Sequence, residues 1–229
     1  LIAFITGIYE TSNRPDAGLY HLPYISNLNE NKIILGLNNL HSRYGFTSFL
    51  QYISSVFNNS LFLEKAIFFP NLILYASSLI YFFRLTTNSK ISNELKILAL
   101  FFGISIAVDM NRFSEFGNDE NAHMLFFIFI INFIIYFIKN NSDSISYIKI
   151  ILLLSLFLFM IKVTFSILIL LIIFIILNSF KNFKFLEKLN FFLFFIFCFW
   201  ILKNFLISGC LIYPIESTCF DNLLWSNNF

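Results

Sequence analysis

The segment VDMNRFSEFGNDENAH, Val108 to His123, gathers four acids, one arginine and one histidine between two apolar runs, the densest polar cluster in the chain. A carboxylate placed there can accept a proton from an attacking hydroxyl within hydrogen-bond reach, and Asp109 and Asp119 are the candidates. Acids ahead of an apolar helix also favour its N-terminal dipole without any catalytic part. A third acid, Asp16, stands before Ala17-Gly18-Leu19, where it suits a helix N-cap as well as it suits a general base. The histidines His21, His41 and His123 fall in polar stretches, yet no HxxxH, HExxH or CxxC spacing accompanies them, so no dedicated metal site is expected. Nor is there a phosphate-binding glycine loop, a GxSxG elbow or a dinucleotide fingerprint. Cys198 lies in an apolar run. Cys210 and Cys219 share a polar one, where an oxidising compartment permits a bridge and a reducing one leaves two unrelated thiols.

These residues must be positioned by a very apolar chain. Its 229 residues are 58% hydrophobic and 12% charged, with a mean hydropathy of +0.78, too apolar for an ordinary soluble domain. Thirty-four phenylalanines exclude disorder, although Phe, Ile, Asn and Lys are all favoured by AT-rich coding and the aromatic excess carries little weight. Fifteen basic residues scattered among 13 acidic ones give a net charge of +2 and no basic patch for a nucleic acid. The expected class is all-α, a polytopic transmembrane bundle.

About 20 apolar residues cross a bilayer. On that measure Leu1 to Tyr9 is the end of a truncated span, and complete spans are expected at Ala66 to Phe83, Leu95 to Val108, His123 to Ile138 and Phe191 to Ile207. The run from Ile148 to Leu177 is too long for one crossing and is split at Lys162 and Thr164, because an ammonium at mid-bilayer is costly. That makes about seven spans, the first partial, in a single transmembrane domain over residues 1–229 that reads as a piece of a longer protein. Short loops with Arg84, Lys90, Lys96, Lys139, Lys149, Lys181, Lys184 and Lys188 face the cytoplasm by the positive-inside rule. The opposite face has loops at residues 10–65, 109–122 and 208–229 and carries most of the acids and all three histidines, His123 at the outer end of its span. Within the first of these, Leu19, Leu22, Ile25 and Leu28, then Phe46, Phe49, Leu50, Ile53 and Phe57, recur at helical spacing. Both segments suit amphipathic helices in the headgroup layer, with Tyr20, Tyr24, Tyr44 and Tyr52 at the interface.

An acid just after a first span, followed by amphipathic helices on the outer face, resembles the GT-C superfamily of polyprenyl-phosphate-sugar-dependent glycosyltransferases. The strings DAGLYHLPYI and GLNNLHSRYGF carry the likeness at Asp16, His21, His41 and Arg43. LKNFLISGCLIYP, Leu202 to Pro214, is similar to an Arg-Asn-Tyr…Ser-Gly-Asn-Pro-Leu-Tyr-Pro stretch of such proteins, with Lys203 in place of Arg and Cys210-Leu211 in place of Asn-Pro. The hairpin at Lys162 and Thr164 has a counterpart there too. The resemblance implies a multi-pass protein of the bacterial inner membrane that moves a sugar from a polyprenyl-linked donor to a glycan or lipid acceptor at the periplasmic face. Asp16 would be the base and Asp109 and Asp119 would assist; His21, His41, Arg43, Arg112, Lys162 and Lys203 would bind substrate, and Arg14 is a further cation. A divalent ion on the donor phosphate is compatible with this scheme, but no motif requires one, and the cofactor stays unknown. Two rival classes remain: a polymerase or ligase of lipid-linked oligosaccharide, and a non-catalytic exporter. An exporter would be expected to hold polar groups deep in its spans, and apart from Lys162 this chain has almost none.

Overall fold

The computed structural model describes residues 15–31, 33–46, 48–58, 64–108, 117, 119–138, 144–168, 170–171, 173–174, 187–220 and 222–226. The protein is all-helical over these residues: α1 Leu22–Glu30, α2 Phe49–Phe57, α3 Phe69–Thr87, α4 Asn93–Val108, α5 Asp119–Ile138, α6 Ser144–Ile161 and α7 Glu187–Ser208. The extended pairing among the described residues is an isolated antiparallel bridge between Cys210 and Cys219. Three helices are long and apolar enough to cross a membrane, Ala66–Thr87, Asp119–Ile138 and Phe191–Ser208. The shortest, at 18 residues, covers about 27 Å at about 1.5 Å per residue. α4 and the apolar part of α6, Ser146–Ile161, are shorter. The truncated span at Leu1 to Tyr9, Arg14, Asp109, Arg112 and part of the limb expected beyond Thr164 lie outside the described residues.

The chain divides into two compact units, residues 1–30 with 50–131, and residues 31–49 with 132–229. In the first, a π-helical turn, Ala17–His21, leads into α1. Its wider turn inserts an extra residue into the helical repeat. The expected stripe is thereby broken: Leu19 is 65% exposed, while Ala17, His21, Tyr24 and Ile25 face inward. Ala17, Ile25, Ile67, Phe68 and Leu72 form one buried cluster, with Leu22 against it, so the π-helical turn and α1 sit on the base of α3. Pro70 lies in the first turn of α3, where its missing N–H has no helical acceptor to lose. α3 and α4 pack along their length as a hairpin, and Phe102 joins them to α5 by an edge contact with Phe82 at 6.0 Å and a stacked one with Phe127 at 4.4 Å.

The second unit is built around the end of α7. α6 stops at Ile161, Lys162 takes an extended backbone (φ −148°, ψ 119°), and a 3₁₀ turn, Val163–Ile167, follows, so the apolar run is interrupted at Lys162 as its charge demands. Phe159 meets Phe197 of α7 at 6.0 Å and Phe157 meets Phe49 at 5.3 Å. Two 3₁₀ turns, Leu37–Asn39 and Ser42–Gly45, pack on α7. The second replaces the helical start expected at Phe46; α2 begins only at Phe49. Gly36, at φ 64°, donates its N–H to the Leu206 carbonyl at 2.9 Å. Asn39 donates to the Trp225 carbonyl at 3.1 Å, and the Trp225 indole donates to the Phe205 carbonyl at 3.3 Å. The last segment is folded back in the same way: Cys210 and Cys219 are disulfide-bonded, Leu211 N–H donates to the Thr218 carbonyl, and Phe220 N–H donates to that of Gly209. Tyr213, ahead of a cis Pro214, lays its ring edge-on against Phe46 at 4.9 Å.

Candidate functional site

In the first unit Asp16 precedes the π-helical turn with helical backbone (φ −63°, ψ −32°) and makes no side-chain capping bond. The capping alternative is therefore not what holds it. Its carboxylate stands exposed next to Ala17, which is wholly buried against the base of α3. Asp119 opens α5, also exposed, in the turn where a carboxylate favours the helix dipole, and His123 lies exposed one turn on.

His21 behaves differently. It is only 7% exposed, and its Nδ1 lies 2.8 Å from the Gln51 side-chain nitrogen, so it cross-links the π-helical turn to α2. One turn along, the Tyr24 and Tyr52 hydroxyls share a hydrogen bond of 2.9 Å with their rings edge to face. Burial pushes both phenols well above 10, the ordinary value. Asn29 adds a third tie, donating to the Asn58 carbonyl at 3.0 Å. The tyrosines expected at the headgroup layer thus turn inward in two cases of four, Tyr24 at 2% and Tyr44 at 8% exposure. Amphipathic spacing located α1 and α2, but their polar residues serve to join them.

In the second unit the cations lie along the segments around α7. His41 caps the Ser42–Gly45 turn by accepting the Arg43 N–H on Nδ1 at 3.1 Å, and both side chains are exposed. Lys162 marks the break after α6 and is half-buried. Lys203 stands 3.1 Å over the centroid of Trp200, one turn earlier on α7, a cation–π contact that keeps the ammonium against its own helix. The next residue, Asn204, is buried and donates to the Leu211 carbonyl at 3.3 Å. Among the described residues no three of His, Cys, Asp and Glu lie close enough to hold a metal ion.

The residue that sequence reasoning missed is Asn38. It is 2% exposed, and neither its carboxamide oxygen nor its nitrogen has a hydrogen-bond partner. A buried polar atom left unpaired costs about 1–3 kcal/mol. Its oxygen lies 2.8 Å from where a Cβ on Gly45 would stand, and the Tyr213 ring lies 2.7 Å from the same point. Oxygen and ring are therefore near neighbours, and the glycine is required by their closeness. Nothing local in GLNNLHSRYG announces this, because the contact is made by a residue far along the chain.

Taken unit by unit, the described geometry offers an exposed carboxylate on the base of an apolar helix, and a separate group of cations and amides at the end of another. No curated protein matches the sequence, and no solved structure matches it. A family model does match, over residues 1–228, and the chain belongs to that family, a domain of unknown function designated DUF8201.

Proposed function

We propose that the chain forms part of a multi-pass glycosyltransferase of the GT-C type in a bacterial inner membrane, moving a sugar from a polyprenyl-phosphate carrier to an envelope polysaccharide or glycolipid acceptor on the periplasmic side. The observation that carries this reading is Asp16. Its carboxylate is exposed and uncapped, and it is fixed by Ala17 to the base of a helix long enough to cross a membrane. In this reading that base lies near the lipid–water boundary, where a lipid-borne donor and a polar acceptor can both arrive.

The reaction would be a direct displacement. Asp16 takes the proton of the acceptor hydroxyl as its oxygen bonds to the anomeric carbon, and the bond from that carbon to the phosphate oxygen breaks. The electron pair leaves with polyprenyl phosphate. Asp119, in the same unit as Asp16, is an auxiliary acid. The test is transfer from a polyprenyl-linked donor by the full-length protein in liposomes. Asp16→Asn keeps the size of the side chain and removes its basicity, so it is expected to lower transfer by at least about a hundredfold, within the usual span for a general base, with insertion unchanged. Wild-type rates from the variant would remove Asp16 from the mechanism.

A further inference from the structure

We propose that the Asn38 carboxamide recognises a sugar ring through its hydroxyls, and that the Tyr213 side chain gates this subsite. The inference rests on the glycosyltransferase reading and adds to it a place, within the second unit alone, where a sugar is held. Asn38 offers one donor and one acceptor in a single plane, the complement of two neighbouring hydroxyls, and both are unpaired in a buried setting where an apolar side chain would be less costly. Such a group is explained by an occupant that satisfies it in another state of the site. Aromatic faces suited to the C–H side of a sugar stand close by: Tyr213 adjoins Asn38 across Gly45, and Phe46, 47% exposed, meets Tyr213 edge to face.

The position fits as well. The turn bearing Asn38 is tied to the end of α7 through Gly36 and Leu206, within the helical turn that follows Lys203 and Asn204. A sugar at Asn38 would thus lie on the segment packed against the end of the helix that carries Lys203, a cation suited to an anionic substituent of that sugar. Tyr213 is the natural gate. Its ring is buried while Leu211, Pro214 and Ile215 around it are exposed, so a side-chain rotation rather than a rearrangement of helices uncovers the amide.

Binding can be read from Trp225, whose carbonyl accepts from Asn39, the residue next to Asn38. In full-length protein carrying Trp200→Phe, free N-acetylglucosamine and methyl glucoside are titrated in one arm, and farnesyl phosphate, which lacks a sugar, in another. Saturable change with the sugars and not with farnesyl phosphate alone is expected. Asn38→Leu should weaken it by about tenfold, the loss of one or two hydrogen bonds, whereas Tyr213→Ala, which removes the gate, should bind at least as tightly as the parent. A response to farnesyl phosphate alone, no response to sugars in either the parent or Tyr213→Ala, or unchanged sugar affinity in Asn38→Leu would each overturn the proposal. Should Asn38→Leu fail to fold, Tyr213→Ala decides alone. Because sugar binding is measured without transfer, an inactive Asp16→Asn variant that still binds sugar, or an active enzyme that does not need Asn38, separates the fate of this subsite from that of the catalytic reading.

Discussion

Tyr24 and Tyr52 illustrate how polar side chains hold α1 to α2. Each phenol is deprived of water and shares one hydrogen bond with the other, and the raised ionisation range follows mainly from burial. The sign of the pH dependence is fixed by this. The folded pair holds its protons more tightly than the unfolded chain, so its contribution is fully present below pH 10, the ordinary phenol value, and is lost as pH climbs through the raised range. Tyrosinate absorbance of the folded protein should therefore show this pair among the late-titrating phenols, and Tyr52→Phe should remove one of them while bringing Tyr24 down. Simultaneous titration of all the tyrosines near 10 would show that the pair is not buried. His21 and Asp16 make a related point about legibility. Both are polar residues of one short stretch, and residue type alone gives them equal standing as site candidates. The π-helical turn then rotates His21 into contact with Gln51 and leaves Asp16 outside.

Helices and turns show where physical rules can be applied from sequence and where they cannot. The break at Lys162 is legible because a charge inside an apolar run is costly and the chain must deal with it locally. The apolar stretches of α3, α5 and α7 follow from hydropathy, but α3 runs on past Phe83 to Thr87, and α5 and α7 begin at Asp119 and Glu187, ahead of His123 and Phe191, in polar turns that hydropathy does not mark. The extra residue in the Ala17–His21 turn leaves no mark in the spacing of apolar residues, and the 3₁₀ turn at Ser42–Gly45 depends on a histidine cap that periodicity does not register. The turns at 36–46 take their shape from residues beyond 204, contacts of high sequence separation that local patterns cannot carry. Gly36 is the sharpest instance, since a Cβ there would lie 2.7 Å from the Trp225 carbonyl oxygen on a backbone at φ 64°. Gly36→Ala should lower thermal stability in detergent by about 1–3 kcal/mol through strain at positive φ and overpacking. A variant that melts with the parent would mean that the Trp225 segment is not seated on this turn.

At the scale of the whole chain, the apolar exterior is the dominant fact. On α7, Phe191, Phe194 and Phe199 are each more than half exposed, an arrangement that suits a lipid-facing helix and would be an aggregation hazard in water. The proposed topology makes a direct prediction in a Cys198→Ser background. A cysteine at Asp119 should react with an impermeant maleimide added to the outside of intact cells, and one at Lys90, exposed in the turn between α3 and α4, should react only after lysis. Equal labelling of both sites would refute the alternation of sides. The composition of the two units also bears on how the protein comes into being. Residues 31–49 belong with residues 132–229, so they leave the ribosome well before most of their partners exist. Gly36, Asn38 and Asn39 must wait until α7 and the bridged segment behind it have been synthesised. Biogenesis of the second unit is thereby a late event, and a nascent chain arrested anywhere before Trp225 would display an early segment whose fold has yet to be completed.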